Sequence, residues 1–322
     1  MTTPSPLQSA PVLAHVVRSG FVESVHHGVV AGTAPDGSVE LARGPVDVPI
    51  FPRSSNKPMQ AVGMLRSGLD LDGELLALAA ASHSGEPFHL EGAQRILAGA
   101  GLTEADLQNT PDRPIDEAER ERWIAEGRGP TSLAQNCSGK HSAMLATCVA
   151  AGWDTATYRD PEHPLQQAIG EALADLAGEE VAATGVDGCG APVMAISTAG
   201  LARAFGRLAA ADASTPEGRV AAAIRDNPQW LGGTHRDVTA LIRGVPGLIA
   251  KDGAEAVYAV GLPDGRGLAV KITDGNQRAR TVVTAAALRQ LGLTAYEVLA
   301  ELEASPVLGH GDPVGAVVAT GI

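Results

Sequence analysis

The pattern of apolar and polar positions divides the chain into three stretches. Near the start, the Val-rich runs "VLAHVVRSGFVES", "HHGVVAGT" and "SVELARG" are separated by turns, which predicts an antiparallel β-meander. From Lys57 to about Ile224, apolar positions recur at helical spacing, as in "GELLALAAAS" and "HPLQQAIGEALADLAG". Near the end, "GAEAVYAVGLPDGRGLAVKITDG" predicts two strands joined by a turn, and "RTVVTAAALRQLGL" predicts a further helix.

Strands at both ends of the chain with helices between them predict an α+β fold. One antiparallel sheet would be assembled from distant segments and packed with helices. We expect a single domain over residues 1–322, in which residues 1–52 and 245–322 form the sheet and residues 53–244 are mainly helical. The charged stretch from Asp112 to Pro130 predicts a mobile loop or an exposed helix, and a lid over a site is the alternative.

Composition narrows the class of protein. The chain is 44% apolar and 19% charged and has no run of about 18 apolar residues, which is typical of a soluble globular protein without a membrane span. A net charge of −13 without clustered Lys and Arg argues against a nucleic-acid partner. The N-terminal segment has no pattern of a secretory signal, so we expect a cytoplasmic protein, and three cysteines are too few for a disulfide framework.

The stretch "FPRSSNKPMQ" contains a serine and a lysine at the spacing S-x-x-K. If a helix begins near Ser54, then Ser54 and Lys57 lie at positions i and i+3 on one helical face. Lys57 can take a serine proton only if its pKa falls from about 10.4 towards about 7–8, which requires burial or a neighbouring cation such as Arg53. The alternative is a serine that caps a helix, with a solvated lysine.

Two later segments give the S-x-x-K motif a context. Ser82 follows an Ala/Leu-rich helix in "AASHSGEPFH", and Lys251 begins a K-D-G in "GLIAKDG". Serine enzymes of the penicillin-recognising type have an S-x-x-K, a second serine and a K-T-G in this order. The order therefore favours a serine hydrolase.

A second cluster combines thiols with other polar residues in two Gly-containing turns. The segment "AQNCSGKHSAML" contains Cys137, Lys140 and His141, and "GVDGCGAP" contains Asp187 and Cys189. Their spacing matches no C-x-x-C or H-x-x-x-H pattern, so a structural zinc site and two unrelated buried thiols are both open interpretations. The same turns are also suited to binding a substrate carboxylate through backbone N–H groups.

Taken together, the motifs resemble the L-asparaginase II family of the Rhizobium etli type. They follow in order from about Arg18 to about Arg280, and two of them, N-C-S-G-K-H and D-G-C-G-A-P, are long enough to be specific. The others are "RSGFVESVHHG", "FPRSSNKPMQA", "ASHSGEPFH", "DPEHPLQQAI", "IAKDGAEAVYAVGLP" and "KITDGNQRAR". The resemblance implies a serine β-lactamase-like fold, shared with glutaminases, and hydrolysis of L-asparagine to L-aspartate and ammonia.

The resemblance also implies roles for individual residues and a partner. It implies two Ser-Lys pairs, a zinc site completed by water near the substrate, and a homodimer. The first pair is Ser54 with Lys57, the second is Ser82 with Lys251, and the zinc ligands are Cys137, Lys140 and Cys189.

Three flanking residues are candidates for positioning the substrate: Arg53, His141 and Asp187. Arg53 would supply charge near the lysines, and Asp187 would bind the α-ammonium group of the substrate. The sequence departs from the common family pattern at Ala256, where the family often has glycine, and in the stretch "HRDVTALI". These changes bear on substrate preference.

The resulting hypothesis is covalent acyl transfer. Ser54 attacks the side-chain amide while Lys57 takes its proton, and the Ser82–Lys251 pair protonates the departing ammonia. Either serine can serve as the nucleophile. The alternatives are a glutaminase, a β-lactamase-like enzyme and a non-catalytic module that binds an amino acid or a metal.

Overall fold

A computed structural model describes residues 5–322. In this part of the chain there are eleven strands, β1 to β11, with bounds Val12–Arg18, Phe21–Thr33, Val39–Arg43, Pro49–Ile50, Ala183–Val186, Pro192–Ser197, Ile249–Gly253, Val257–Gly261, Gly267–Ile272, Pro306–Gly309 and Asp312–Ala319. The same residues form twelve α-helices, α1 to α12, with bounds Lys57–Arg66, Gly73–Ala79, Pro87–Gly99, Glu117–Ala125, Ser138–Ala151, Pro164–Ala177, Thr198–Ala210, Pro216–Asp226, Pro228–Leu231, Asp237–Gly244, Arg280–Gln290 and Glu297–Glu303.

The main sheet joins the two ends of the chain. Within residues 5–322 it has eight strands in the order β10-β11-β1-β2-β9-β8-β7, with β3 pairing to β2, and all neighbours are antiparallel. Strand β2 is thirteen residues long. Its residues 21–27 pair with β1, and its residues 28–33 pair with β9. The predicted α+β class, with an antiparallel sheet built from both chain ends, is confirmed.

The middle of the chain is helical, as the apolar spacing predicts, but it also contains strands that the periodicity did not reveal. Strand β6 pairs with β4 and β5 in a small antiparallel sheet. All six residues of β6, "PVMAIS", are buried, so its side chains do not alternate between apolar and polar. The β5–β6 hairpin carries the "VDGCGAP" motif.

Helix α7 connects the helical region to the sheet by packing on β2, β8 and β9. Its apolar residues belong, with those of the sheet, to one continuous core that the described residues form. No helix among residues 5–322 is long and apolar enough to cross a membrane.

The charged stretch from Asp112 to Pro130 contains the short, mostly exposed helix α4, which is one of the predicted alternatives. An antiparallel bridge between Asp112 and Thr131 closes the segment at its base. Trp123 is buried, and the Arg128 guanidinium lies 3.2 Å from the centre of its ring. Ile115, just before the helix, lines the cavity described next.

Candidate active site

The S-x-x-K stretch forms a 3₁₀ turn at Arg53–Asn56, and helix α1 begins at Lys57 rather than near Ser54. The backbone N–H of Lys57 donates to the carbonyl of Ser54, which closes the turn. The next residue, Pro58, suits the first turn of a helix because the missing N–H needs no partner there. Lys57 is consequently buried at the helix start, while Ser54 stays half-buried at the edge of a cavity.

The Lys57 side chain contacts Ser82 rather than Ser54. Its Nζ lies 3.0 Å from Ser82 Oγ, 2.6 Å from the carbonyl oxygen of Ala81 and 3.1 Å from Cys137 Sγ. Within residues 5–322, no hydrogen bond joins Lys57 to the Ser54 side chain. The structure thus brings Lys57 to the second serine, in a pairing different from the sequence-based one.

Lys251 lies on strand β7, whereas the sequence pattern indicated a position just before a strand. Its Nζ donates to the backbone carbonyl of Asp252 at 2.7 Å and to Asp252 Oδ1 at 2.7 Å, and no bond to Ser82 is present among the described residues. Burial, together with the charges of Lys57 and Arg236, lowers the pKa of Lys251 to about 8 against the opposing effect of Asp252. Lys251 is therefore a better proton donor than an exposed lysine.

A close backbone contact holds β7 against the serine-bearing turn. A Cβ on Gly253 would lie 2.7 Å from the carbonyl oxygen of Pro52 and 3.2 Å from the backbone nitrogen of Ser55. Only glycine lets the strand approach the turn this closely. The K-D-G glycine thereby fixes the position of Lys251 relative to Ser54.

Ser54 and Ser82 line one cavity of about 260 Å³. Other residues of its wall were not identified as candidates from the sequence: Ile115, Asn136, Arg236, Asp252, Gly253, Ala254, Gln277 and Arg280. Several occur inside the quoted motifs, since Asn136 precedes Cys137, Asp252 is the middle residue of K-D-G and Arg280 ends "KITDGNQRAR". Their position inside these motifs was therefore the sequence feature that could have identified them as site residues.

The Cys-Lys-Cys cluster is assembled from the start of α5 and the β5–β6 hairpin. Lys140 Nζ lies 3.3 Å from Cys189 Sγ, and Cys137 and Cys189 pack together as buried thiols. The interaction of the two thiols with each other lowers the pKa of Cys137 and raises that of Cys189. Burial alone would lower the pKa of Lys140, but the charges of Cys189, Cys137 and Asp187 raise it.

The three candidate positioning residues lie outside the lining of the cavity. Arg53 Nε donates to Asp187 Oδ1 at 2.8 Å, so these two residues pair with each other. Burial favours a raised pKa for Asp187, but Lys140 and Arg53 lower it overall. His141 is fully buried, with its Nδ1 2.7 Å from the Tyr158 hydroxyl. Their proposed contact with substrate remains a prediction.

The family comparison decides the relationship of the chain to known proteins. Residues 14–319, nearly the whole chain, match the family described as L-asparaginase II. The chain belongs to the L-asparaginase II family. The resemblance drawn from the sequence motifs is thereby confirmed, and the family description names an amidohydrolase.

Solved structures similar to this L-asparaginase II family member have low sequence identity. Mglu in its native form is 16% identical, with a TM-score of 0.44, over 82% of this chain and 64% of that one. A β-lactamase from Mycobacterium bovis is 14% identical, with a TM-score of 0.41, over 88% of this chain and 97% of that one. The chain thus spans just under two thirds of the Mglu chain it matches. No curated protein matches the sequence.

The donor set of the cluster fits the zinc ion that the L-asparaginase II resemblance implies. Two sulfur atoms and one amine nitrogen come together in a buried position, and zinc accepts both donor types. Among the described residues, no group of three His, Cys, Asp or Glu side chains is suited to a metal, so Lys140 is needed as the third ligand. Lys140 would have to release its proton to bind.

Proposed function

We propose that the protein hydrolyses the side-chain amide of L-asparagine to L-aspartate and ammonia by covalent Ser-Lys catalysis. One observation carries this proposal: the buried Lys57 amine lies 3.0 Å from Ser82 Oγ at a cavity that Ser54 also lines. A lysine within hydrogen-bond distance of a serine is the arrangement that activates a serine nucleophile. Membership in the L-asparaginase II family supports an amide as the bond that is cleaved.

In the proposed first step, Ser54 Oγ bonds to the amide carbon and its proton passes to the Lys57–Ser82 pair. The carbon–nitrogen bond then breaks, and ammonia leaves with a proton supplied by Lys251. In the second step, water adds to the β-aspartyl ester and gives a proton to the deprotonated Lys251 amine, the Ser54 Oγ–carbon bond breaks, and Ser54 takes back its proton from Lys57 as aspartate is released. Ser82 is the alternative nucleophile, because its hydroxyl already contacts Lys57.

Serine substitutions test this proposal. Ser54→Ala should lower ammonia release from asparagine by at least about 10³-fold, since a nucleophile has no substitute in the acyl-transfer step. Ser55→Ala is the matched control, because Ser55 Oγ donates to the Pro52 carbonyl and lies outside the cavity lining. Near-normal turnover by Ser54→Ala would exclude Ser54 as the nucleophile.

Mass spectrometry of quenched reactions identifies which serine carries the ester. A β-aspartyl group on Ser54 supports the proposal, and a β-aspartyl group on Ser82 exchanges the roles of the two serines.

If wild-type protein releases no ammonia from asparagine or from glutamine, the amidohydrolase assignment fails. The ratio of kcat/KM for the two substrates then separates asparaginase from glutaminase, which differ by one methylene worth about 1–3 kcal/mol.

We also propose that Cys137, Lys140 and Cys189 hold a zinc ion with a water molecule. The ion would supply a fixed positive charge near the cavity, since Cys137 also contacts Lys57. Elemental analysis of purified protein should find about one zinc per chain, and Cys189→Ser should lose it. Cys148→Ser is the control, because Cys148 is a buried thiol in the apolar core. Zinc retained by Cys189→Ser would contradict the ligand set.

Two further expectations are proposals. The chain would act in the cytoplasm and form a homodimer, and light scattering of the purified protein at micromolar concentration measures the second directly. A mass equal to one chain under these conditions would contradict the dimer.

A further inference from the structure

Two arginines line the same cavity as the candidate nucleophiles. Arg236 precedes helix α10, and Arg280 begins helix α11, so distant parts of the chain bring them together. The cavity of about 260 Å³ is smaller than the roughly 300–1,000 Å³ typical of pockets for drug-sized ligands. It suits a single amino acid better than a peptide.

Two aspartates bind these arginines, and each guanidinium keeps N–H donors that make no side-chain hydrogen bond in the described structure. Arg236 Nη2 donates to Asp252 Oδ2 at 2.5 Å, and Arg280 Nη2 donates to Asp237 Oδ2 at 2.8 Å. Arg280 Nη1 lies 3.7 Å from Asp252 Oδ2, too far for a hydrogen bond. A guanidinium has five N–H donors, and in the described part of the chain each of these two makes one side-chain hydrogen bond.

The acceptors of Asp252, by contrast, are already engaged. Its Oδ1 accepts from Lys251, and its Oδ2 accepts from Arg236. Burial favours a raised pKa for Asp252, but Lys251, Arg236 and Arg280 lower it overall, so it stays a carboxylate. The unused hydrogen-bonding capacity of this wall therefore consists of cationic donors, which suit an anion.

We propose that Arg236 and Arg280 bind the α-carboxylate of the substrate and select amino-acid amides over neutral amides. This proposal rests on the proposed function, because the reacting amide must lie at Ser54 and Ser82 in the same cavity. Arginine suits this role because its planar donors match both oxygens of a carboxylate. Arg280, with a side chain only 9% exposed, is held in place, whereas Arg236 at 22% is the one whose removal disturbs the core least.

The test compares three substrates that differ by one charged group. L-Asparagine has both groups, succinamic acid keeps the carboxylate without the amino group, and β-alaninamide keeps the amino group without the carboxylate. Arg236→Met should lower kcat/KM for asparagine and succinamic acid by about 10- to 150-fold, the loss expected for hydrogen bonds to a charged group. The kcat/KM for β-alaninamide should change much less, so the ratio of kcat/KM for asparagine to kcat/KM for β-alaninamide should fall.

The ratio of kcat/KM for asparagine to kcat/KM for β-alaninamide is measured on one variant at a time. Any effect of Arg236 on the catalytic lysines cancels in this ratio, because all three substrates share the reacting amide. Arg243→Met is the matched control, because Arg243 is an exposed arginine of α10 outside the cavity lining. It should keep the wild-type ratio. A ratio in Arg236→Met equal to that of wild type would overturn the proposal, as would the same fall in Arg243→Met.

A binding measurement separates this proposal from the proposed function. Titration calorimetry with L-aspartate, the expected product of asparagine, and with β-alanine, the expected product of β-alaninamide, needs no turnover. If no amide is hydrolysed, the proposed function fails, but weaker aspartate binding by Arg236→Met than by wild type still supports the carboxylate subsite. Equal aspartate binding by the two proteins overturns the subsite whether or not the enzyme is active.

Discussion

At the scale of single residues, Lys57 is distinguished by three acceptors around one amine. An ammonium group has three N–H donors, and the Ala81 carbonyl, Ser82 Oγ and Cys137 Sγ can receive all three. A neutral amine has two donors and one lone pair, so Ser82 or Cys137 would then donate to it. The hydrogen bond between Ser82 and Lys57 is thus compatible with both protonation states, as a proton relay requires.

The pKa of Lys251 leads to a pH prediction. If Lys251 supplies the proton to departing ammonia, kcat for asparagine should fall as pH rises through about 8, because a deprotonated amine has no proton to give. Arg236 is one of the cations that lower this pKa, so Arg236→Met should raise it and move the alkaline limb to higher pH. Steady-state kcat between about pH 6 and pH 10 at saturating substrate measures both effects.

The control for this shift is Arg243→Met, which should leave the limb where it is in wild type. An alkaline limb that does not move in Arg236→Met would show that another group controls it. A rise in kcat through pH 8 would instead assign Lys251 the role of a base.

At the scale of elements, the contact between β7 and the 53–56 turn holds Lys251 and Ser54 in position relative to each other. Gly253→Ala places a Cβ 2.7 Å from the Pro52 carbonyl, and two backbone segments must separate to admit it. We expect a loss of about 1–3 kcal/mol in the free energy of unfolding. We also expect a larger fractional loss of kcat, because Lys251 moves with the strand.

Gly99→Ala provides the comparison, since a Cβ there has no atom within 4 Å and the residue ends helix α3. Alanine should be neutral or stabilising by up to about 1 kcal/mol at that position. Urea unfolding and asparagine turnover of both variants measure the difference. Wild-type stability and kcat in Gly253→Ala would show that the close approach has no part in positioning Lys251.

Elements with strong periodicity were predicted well from the sequence, and contacts between elements were not. Helix α6 and strands β8 and β9 follow from local apolar spacing, which one segment determines alone. The pairing of Lys57 with Ser82 depends on how α1 packs, so the i, i+3 rule suggested Ser54 instead. The turn between β7 and β8 has Glu255 and Ala256 at φ 57° and 52°, conformations that favour glycine and that neither residue signals.

At the scale of the whole molecule, the helical region is inserted in sequence between the two parts of the chain that form the main sheet. Strands from residues 12–43 and 249–319 form one eight-stranded sheet in the described structure, and α7 packs on three of those strands. The apolar residues of both regions share one continuous core. The two candidate lysines come from both regions, because Lys251 lies on the sheet and Lys57 lies at the start of a helix.

This architecture predicts that the sheet and the helical region unfold together in urea. The three tryptophans, Trp123, Trp153 and Trp230, all lie between residues 53 and 244, so their fluorescence reports on the helical region alone. Hydrogen exchange of peptides from β1, β2 and β9, measured by mass spectrometry, reports on the sheet. Because the core is shared, losing either region exposes apolar surface of the other, and the two midpoints should coincide. Gly253→Ala should shift both midpoints equally, whereas a fluorescence change that precedes the loss of sheet protection would mean that the helical region is a separate domain.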